Sequence, residues 1–455
     1  MSMGPRPRPR PAAGPRTGPP AAGPEGTLVV RAQARHGDFR LDVALRVEPG
    51  RLVAVLGPNG AGKSTLLGAI AGTVPLEAGE VAVGERVLSR VAGPDEGAVG
   101  ERVLSRVAGP DEGAVGERVQ SRVAGPDDRA SSVSGRGAWS TSSRRASTVS
   151  GRRVQVPVAS RRVGLLGQDA LVFPHLSVRE NVAFGLRAAG VGAGEARAAA
   201  DGWLERLGLP GFGDRRPDEL SGGQRQRVAI ARALAAGPDV LLLDEPFAQL
   251  DVRVAAGLRE TLLDQLAATA TPVVLVTHDA LDALTLADHA LVLHDGRVVE
   301  EGPPLELFSE PRTEFSAALA GLDLVRGRAR GGTVHVDVEA GTGPRGSATL
   351  EVPLPADPTG AVAAGPPDGP VVLTFAPGDV RIVPGDAPVP PDGTGELVWL
   401  ARVVDLERGP RGVRVRTSAD VVADLTALEA AALALRPGDD VRLAVDAARA
   451  RVRPA

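Results

Sequence analysis

From Thr27 onward apolar and polar positions alternate. Leu28-Val29-Val30, then Leu41, Val43, Leu45 and Val47, predict two antiparallel strands ending at the Pro49-Gly50 turn. The wholly apolar run 52–56 reads as a buried strand, and Leu66-Leu67-Gly68-Ala69-Ile70 resumes at helical spacing after a glycine-rich gap. A short strand over 161–166 leads to Gln168, and Phe173-Pro174-His175-Leu176-Ser177-Val178 opens a helical region. An amphipathic helix is expected over 195–207, with Ala199, Trp203, Leu204 and Leu207 on one side. Another helix starts at Leu220-Ser221-Gly222-Gly223-Gln224 and runs through Val228, Ile230, Ala231 and Leu234. The apolar runs 240–243 and 273–276 read as buried strands, ending in Asp244-Glu245 and Thr277-His278-Asp279. Strands alternating with helices indicate an α/β fold with a largely parallel sheet. Beyond about Gly321 the helices give way to short strands (333–338, 349–352, 371–375, 413–417) separated by Gly/Pro turns, with one helical piece at 425–435. That is the pattern of an all-β module of small-barrel type.

Two stretches carry no such pattern. Residues 1–26 hold Pro, Gly, Ala and Arg with almost nothing to bury, and are expected to be a disordered tail rather than a secretory signal. The 16 residues 83–98 (VGERVLSRVAGPDEGA) recur identically at 99–114, and a third, diverging copy has Gln120 where the others have Leu88 and Leu104. The period is shorter than that of solenoid repeats. With the Ser/Arg-rich sequence that follows, 84–158 is expected to be a low-complexity, poorly ordered insertion from tandem duplication.

Composition narrows the function classes. A chain of 455 residues should fold as two or three domains. The net charge of −4 gives no sign of a nucleic-acid partner. The absence of cysteine removes disulfides, thiol catalysis and thiolate metal sites. No apolar run approaches the ~18 residues of a membrane span, so a membrane role would have to come through a partner.

One count singles out a loop. Of the 52 Lys+Arg residues, Lys63 is the sole lysine. It sits in Gly57-Pro58-Asn59-Gly60-Ala61-Gly62-Lys63-Ser64-Thr65, which fits G-x-x-x-x-G-K-[ST] in the strand–loop–helix context a phosphate-binding loop requires. The glycines let backbone N–H groups turn toward phosphate oxygens, and the helix N-terminus adds partial positive charge. Lys63 would reach the β- and γ-phosphates, and the Ser64 hydroxyl would ligate Mg²⁺. A planar guanidinium does not replace a compact ammonium in such a cradle. Nucleotide hydrolysis further needs a metal and an oriented water. Asp244, ending an apolar strand, suits the metal, and the adjacent Glu245 suits the role of general base. Ser221-Gly222-Gly223 at a helix start is a second anion-binding arrangement. One nucleotide has little use for two such sites in one subunit, which argues for a dimer in which each subunit closes the other's site.

On these motifs the chain resembles the nucleotide-binding subunits of ATP-binding cassette (ABC) transporters, over residues of about 28–320 apart from the insertion. The resemblance implies a P-loop ABC-type α/β domain with a helical subdomain, using ATP and Mg²⁺. In that family the signature, here Ser221, Gly222, Gly223 and Gln224, clamps the ATP held by the partner's Walker motifs. Gln168 is similar to the Q-loop glutamine that senses Mg²⁺ and the permease. His278 resembles the switch histidine that contacts the γ-phosphate, and Asp251, in Ala248-Gln249-Leu250-Asp251, belongs to a segment like the D-loop. The sequence departs from the family in the glycine before Gln168, in Gln249, and in the interval of 105 positions from Lys63 to Gln168. Two candidates stand for the adenine-stacking residue, Phe39 and His36.

The segment from Phe173 to Leu186 is similar to importer ATPases for inorganic anions and related solutes, and 395–443 resembles the oligonucleotide-binding-like (TOBE/MOP-type) barrel that ends molybdate importer ATPases. The division expected is a tail (1–26), an ATPase domain (27–320) and a C-terminal β-barrel regulatory domain (321–455). Anion sensing with molybdate or tungstate and a dimerisation or spacer role are equally open for the barrel. The implied protein is the ATP-hydrolysing subunit of an oxyanion importer, foremost molybdate. It would work as a homodimer at the cytoplasmic face of the membrane, on two permease subunits fed by an external solute-binding protein, without nucleic acid. Sulfate, iron or polyamine import, or a soluble non-transport ABC ATPase, are the alternatives.

Overall fold

Strand pairing begins with β1 (Leu28–His36) and β2 (Phe39–Val47), whose alternating buried and exposed positions pair antiparallel from Leu28↔Val47 to His36↔Phe39. The computed structural model in which they lie describes residues 26–92, 153–248, 250–330, 333–338, 346–351, 368–385, 396–446 and 448–454. The readings made for 1–25, for most of the repeats and for Gln249 fall outside the described residues.

Next come β3 (Leu52–Leu56), α1 (Lys63–Ala71), β4 (Leu76–Val83), β5 (Arg86–Val91), β6 (Val154–Gln155) and β7 (Val163–Leu166). The helices α2 (Val178–Ala188), α3 (Ala193–Arg206) and α4 (Gly222–Ala235) pack on one another as a helical subdomain. The chain returns through β8 (Val240–Asp244), α5 (Val252–Thr269), β9 (Val273–Val276), α6 (Ala280–Leu286), β10 (His289–His294), β11 (Arg297–Gly302), α7 (Pro304–Ser309) and α8 (Glu314–Leu319).

All eleven strands join one sheet in the order β6-β5-β4-β1-β2-β11-β10-β3-β9-β8-β7. The run β10-β3-β9-β8-β7 is parallel. Its members are covered on both faces, which is why 52–56, 240–243 and 273–276 are continuously apolar instead of alternating. Parallel pairing has a direct functional consequence: the carboxyl ends of β3, β9, β8 and β7 emerge along one edge.

Two expectations change. In α3 the buried row is Ala196, Ala200, Trp203, Leu204 and Leu207, whereas Ala199 is exposed. The helix takes the face set by positions four, seven, eight and eleven after Ala196, and Ala199 lies off it. The stretch 84–158 is also not insertion throughout, because it supplies β5 and β6. Leu88 in the first repeat copy is fully buried, and Ser89 Oγ accepts a 2.6 Å hydrogen bond from Nη2 of the equally buried Arg161. Arg161 also donates to the carbonyls of Val156 (2.9 Å) and Ile70 (2.9 Å), so one guanidinium ties both flanks of the insertion to the end of α1.

Past α8 the chain is antiparallel β. The strands β12 (Asp323–Arg330), β13 (Thr333–Val338), β14 (Gly346–Glu351) and β15 (Gly369–Phe375) are followed by β16 (Val380–Pro384), β17 (Glu396–Gly409), β18 (Gly412–Thr417) and β19 (Val422–Thr426). A short α9 (Ala427–Leu433), β20 (Asp440–Asp446) and β21 (Arg451–Pro454) complete the described chain. They form two five-stranded sheets, β14-β13-β12-β15-β21 and β16-β20-β17-β18-β19, on one shared core where the rings of Phe375 and Trp399 lie 6.0 Å apart. The C-terminal unit is thus all-β, consistent with a TOBE-like domain.

Candidate functional site

The loop 57–62 leaves the end of β3, the strand flanked by β10 and β9. Gly57 has φ +149°, and a Cβ there would stand 2.4 Å from the Leu293 carbonyl oxygen. Gly62 has φ +105°, and a Cβ would meet the Phe39 ring at 2.7 Å. Both positions therefore need glycine for space as well as for backbone conformation. Of the two candidates for the adenine-stacking residue, the Phe39 ring lies against Gly62, while His36 is exposed.

Lys63 opens α1 with 9 % of its surface exposed, and its Nζ donates to the carbonyls of Gly57 (2.7 Å) and Pro58 (3.0 Å). Burial pulls the ammonium below the usual lysine range, while the charges of Glu245 and Asp244 act the other way. The next residue, Ser64, donates through Oγ to Asp244 Oδ2 at 3.3 Å. Burial raises the Asp244 carboxyl, opposed by that hydrogen bond and reinforced by the neighbouring Glu245 charge. A hydroxyl and a carboxylate at this distance form a hard-oxygen pair of the kind Mg²⁺ prefers, and a divalent cation would favour the ionised carboxylate that burial disfavours.

Glu245 follows β8 with φ +49°, an uncommon conformation for a residue with a side chain. Its amide donates to the Val276 carbonyl at 2.9 Å, pinning the turn to β9. Its Oε1 lies 3.1 Å from Nδ1 of His278. Gln168 is exposed two residues past β7, on the same strand-end edge as Asp244. Lys63, Ser64, Asp244, Glu245 and His278 are thereby brought together, with Gln168 at the rim.

The signature stands apart. Ser221 caps α4: its Oγ accepts from the Gln224 amide (3.3 Å), and its own amide donates to Gln224 Oε1 (2.9 Å). These bonds close on themselves as a capping box, leaving Ser221 exposed at the start of a 14-residue helix. Asp251 caps α5 through the Val254 amide at 3.0 Å.

Sequence reasoning missed three residues around this site. Gln226, buried on α4, donates from Nε2 to the Pro246 carbonyl at 3.1 Å, joining the signature helix to the turn after Glu245. Arg259 and Asp282 form an ion pair behind His278. A polar residue on the apolar side of a helix was the available signal, strongest for Gln226.

Residues 41–119 and 137–248 match the ABC transporter family. The molybdenum import ATP-binding protein ModC of Mycobacterium tuberculosis is 38 % identical over 94 % of this chain and 97 % of its own length. An Fe(3+) ions import ATP-binding protein of Streptomyces avermitilis is 33 % identical, covering 89 % and 91 %. A sulfate/thiosulfate import ATP-binding protein of Mycobacterium bovis is 35 % identical, covering 65 % and 66 %. Among solved structures, an ADP- and Pi-bound ATP-binding cassette dimer aligns with a TM-score of 0.42 at 23 % identity, over 61 % of this chain and 98 % of that one.

Proposed function

The chain belongs to the ABC transporter family as an ATPase that hydrolyses ATP to drive ion import, and on that footing we propose that its solute is an oxyanion, foremost molybdate. The carrying observation is that the similarity to the molybdenum importer subunit extends through the C-terminal β unit, over 97 % of that relative's length. Iron import is the second reading, favoured by a 33 % identical relative matched over 91 % of its length.

For the hydrolytic site we propose residue roles in keeping with the geometry. The backbone of Gly57, Pro58, Asn59, Gly60, Ala61 and Gly62 cradles the phosphates together with Lys63 and Thr65. Ser64 and Asp244, with Gln168 at the rim, would hold Mg²⁺, which when bound neutralises phosphate charge. Glu245 takes the proton of the attacking water, and His278 at 3.1 Å orients that carboxylate. Ser221, Gly222, Gly223 and Gln224 of one subunit close the site of the other, with Asp251 at the seam. The support for a dimer is that the exposed capping box of α4 makes no hydrogen bond to the Lys63–Glu245 cluster among the described residues.

The working units proposed are 27–320 for ATP and 321–455 for regulation. Among the described residues no helix is long and apolar enough to cross a membrane. From its likeness to import ATP-binding proteins, residence at the cytoplasmic face is proposed through two permease subunits, with an external binding protein delivering solute. Calorimetric titration of the full chain with molybdate, tungstate, sulfate and ferric citrate tests the solute. Saturable binding of molybdate and tungstate is expected; binding of sulfate or ferric ion alone would overturn the molybdate reading.

A further inference from the structure

His278 is 63 % exposed at its side chain, yet its Nδ1 is held at 3.1 Å from Glu245. Little packing fixes it, because a cavity of about 280 Å³ opens beside it, lined by Glu245, Phe247, Thr277, Asp279 and Asp282 among others. Polar contacts hold the backbone on either side instead. Thr277 is buried, and its Oγ1 donates to Asp282 Oδ2 (2.8 Å) while accepting from the Asp279 amide (3.1 Å). The other oxygen, Asp282 Oδ1, accepts from Arg259 Nε at 2.8 Å. The Arg259 guanidinium also lies 5.0 Å from the Phe247 ring centroid, just past Glu245, and 3.8 Å from Asp279 Oδ2. Arg259 sits on α5, the helix that Asp251 caps.

We propose that Arg259, Asp282 and Thr277 are positioning residues for ATP hydrolysis. They lock the 277–279 backbone so that His278 stays registered on Glu245. The inference rests on the reading of Glu245 and His278 as the hydrolytic pair. A buried ion pair adds little net stability over an apolar replacement. What this one provides is geometry. The two-pronged guanidinium reaches Asp282 and the Phe247 ring together, which a lysine does not reproduce.

The test uses the full chain and its Thr277→Val, Thr277→Ser and Arg259→Lys variants, measuring kcat and KM for ATP alongside the thermal midpoint. Misplacing a catalytic group by a fraction of an ångström costs roughly 10-fold or more in turnover. Thr277→Val and Arg259→Lys are expected to lower kcat by about that factor with KM within about twofold, while Thr277→Ser, which keeps the hydroxyl, restores kcat. Wild-type kcat in Thr277→Val, or a loss that follows the thermal midpoint and is equal in the Ser and Val variants, would overturn the proposal. A wild-type chain without ATP turnover would instead overturn the underlying reading of the site, and this inference with it.

Discussion

Oε1 of Glu245 and Nδ1 of His278 lie 3.1 Å apart, although the two residues are 33 positions apart in sequence (245 to 278). They meet because β8 and β9 are neighbouring parallel strands, so the residues just past their ends share one edge. A carboxylate so placed can accept a proton from water, whereas an amide of the same shape cannot. Glu245→Gln is accordingly expected to keep ATP affinity and to reduce kcat by about 10²–10⁴-fold, the range for losing a general base. Light scattering of this variant with ATP should show an accumulated dimer. Turnover near wild type would remove Glu245 from the mechanism.

Lys63 makes a sharper test of the phosphate loop than an alanine variant alone. Its Nζ lies against two carbonyls of its own loop, in a space sized for an ammonium. Lys63→Arg keeps the charge but has a planar fork that does not fit. We expect it to weaken ATP binding by about 10–100-fold, the value of a lost charge-assisted hydrogen bond, much as Lys63→Ala does. Fluorescent-nucleotide titration measures it. An arginine variant that binds ATP like wild type would mean the loop recognises charge and not shape.

How much of this was legible depends on what each residue's local neighbours are. Gly57–Lys63 and the endings of β8 and β9 could be read because one short segment carries both the strand and the chemistry. The order of strands along the sheet could not, since nothing in 52–56, 240–243 or 273–276 records which run lies between the other two. Arg259 and Asp282 are ordinary charges on helices in the sequence, and become a pair only when α6 packs against α5. The positive φ of +49° at Glu245 has no sequence signature, and its amide bonds to the Val276 carbonyl on a different strand. Leu88 was hidden by repetition: its identical copy at Leu104 suggested that neither was structural, yet the first is fully buried.

Asp323 gives a pH prediction. It begins β12, a short turn after α8, and is 6 % exposed, with Oδ1 accepting from the Val422 amide at 3.1 Å and Oδ2 buried without a hydrogen-bond partner among the described residues. Desolvation pushes its carboxyl up to about 7 from 3.8; the Val422 bond and Arg414 oppose this and Asp424 adds to it. Between roughly pH 4 and 7 the unfolded chain has lost this proton while the folded chain keeps it, so unfolding releases a proton and stability falls as pH rises, levelling above 7. A tenfold difference in proton affinity between the folded and unfolded chains corresponds to about 1.4 kcal/mol, so the loss across the window comes to about 4 kcal/mol. Asp323→Asn retains the acceptor for Val422 and removes the titration. Urea unfolding at several pH values should show wild type losing stability relative to the variant over this window; parallel curves would refute the assignment.

Arg161 carries another prediction. Its guanidinium is the common partner of Ser89, Val156 and Ile70, and Gly72 at the end of α1 leaves room for it: a Cβ there would lie 2.2 Å from Arg161 Cζ. Arg161→Met fills part of the volume and takes the guanidinium donor from the Val156 and Ile70 carbonyls, while Ser89 Oγ keeps its bond to Gln155 Oε1 at 3.4 Å. At about 1–3 kcal/mol for a buried polar group left unsatisfied, a loss of about 3 kcal/mol or more is expected in denaturant unfolding. A change below about 1 kcal/mol would mean water replaces the guanidinium without cost.

The second copy of the repeat lies between β5 and β6 in the sequence. They pair antiparallel at Ser89↔Gln155 and Arg90↔Val154, so the chain leaving Val91 and the chain arriving at Val154 are adjacent although 62 residues intervene (92 to 153). Adjacent antiparallel ends can be joined by a two-residue turn, for which Asn-Gly is favoured. Replacing 92–152 with Asn-Gly keeps Leu88, Ser89, Val156 and Arg161, the groups that tie this corner to the sheet. Shortening a closed loop this much lowers its entropic cost by about 2 kcal/mol. The shortened chain is expected to melt no lower than wild type and to hydrolyse ATP at a rate within about twofold, since neither Lys63 nor Glu245 is touched. A fall in the melting temperature would show that the repeats contribute contacts to the fold. Unchanged melting with lost turnover would place a function in the repeats.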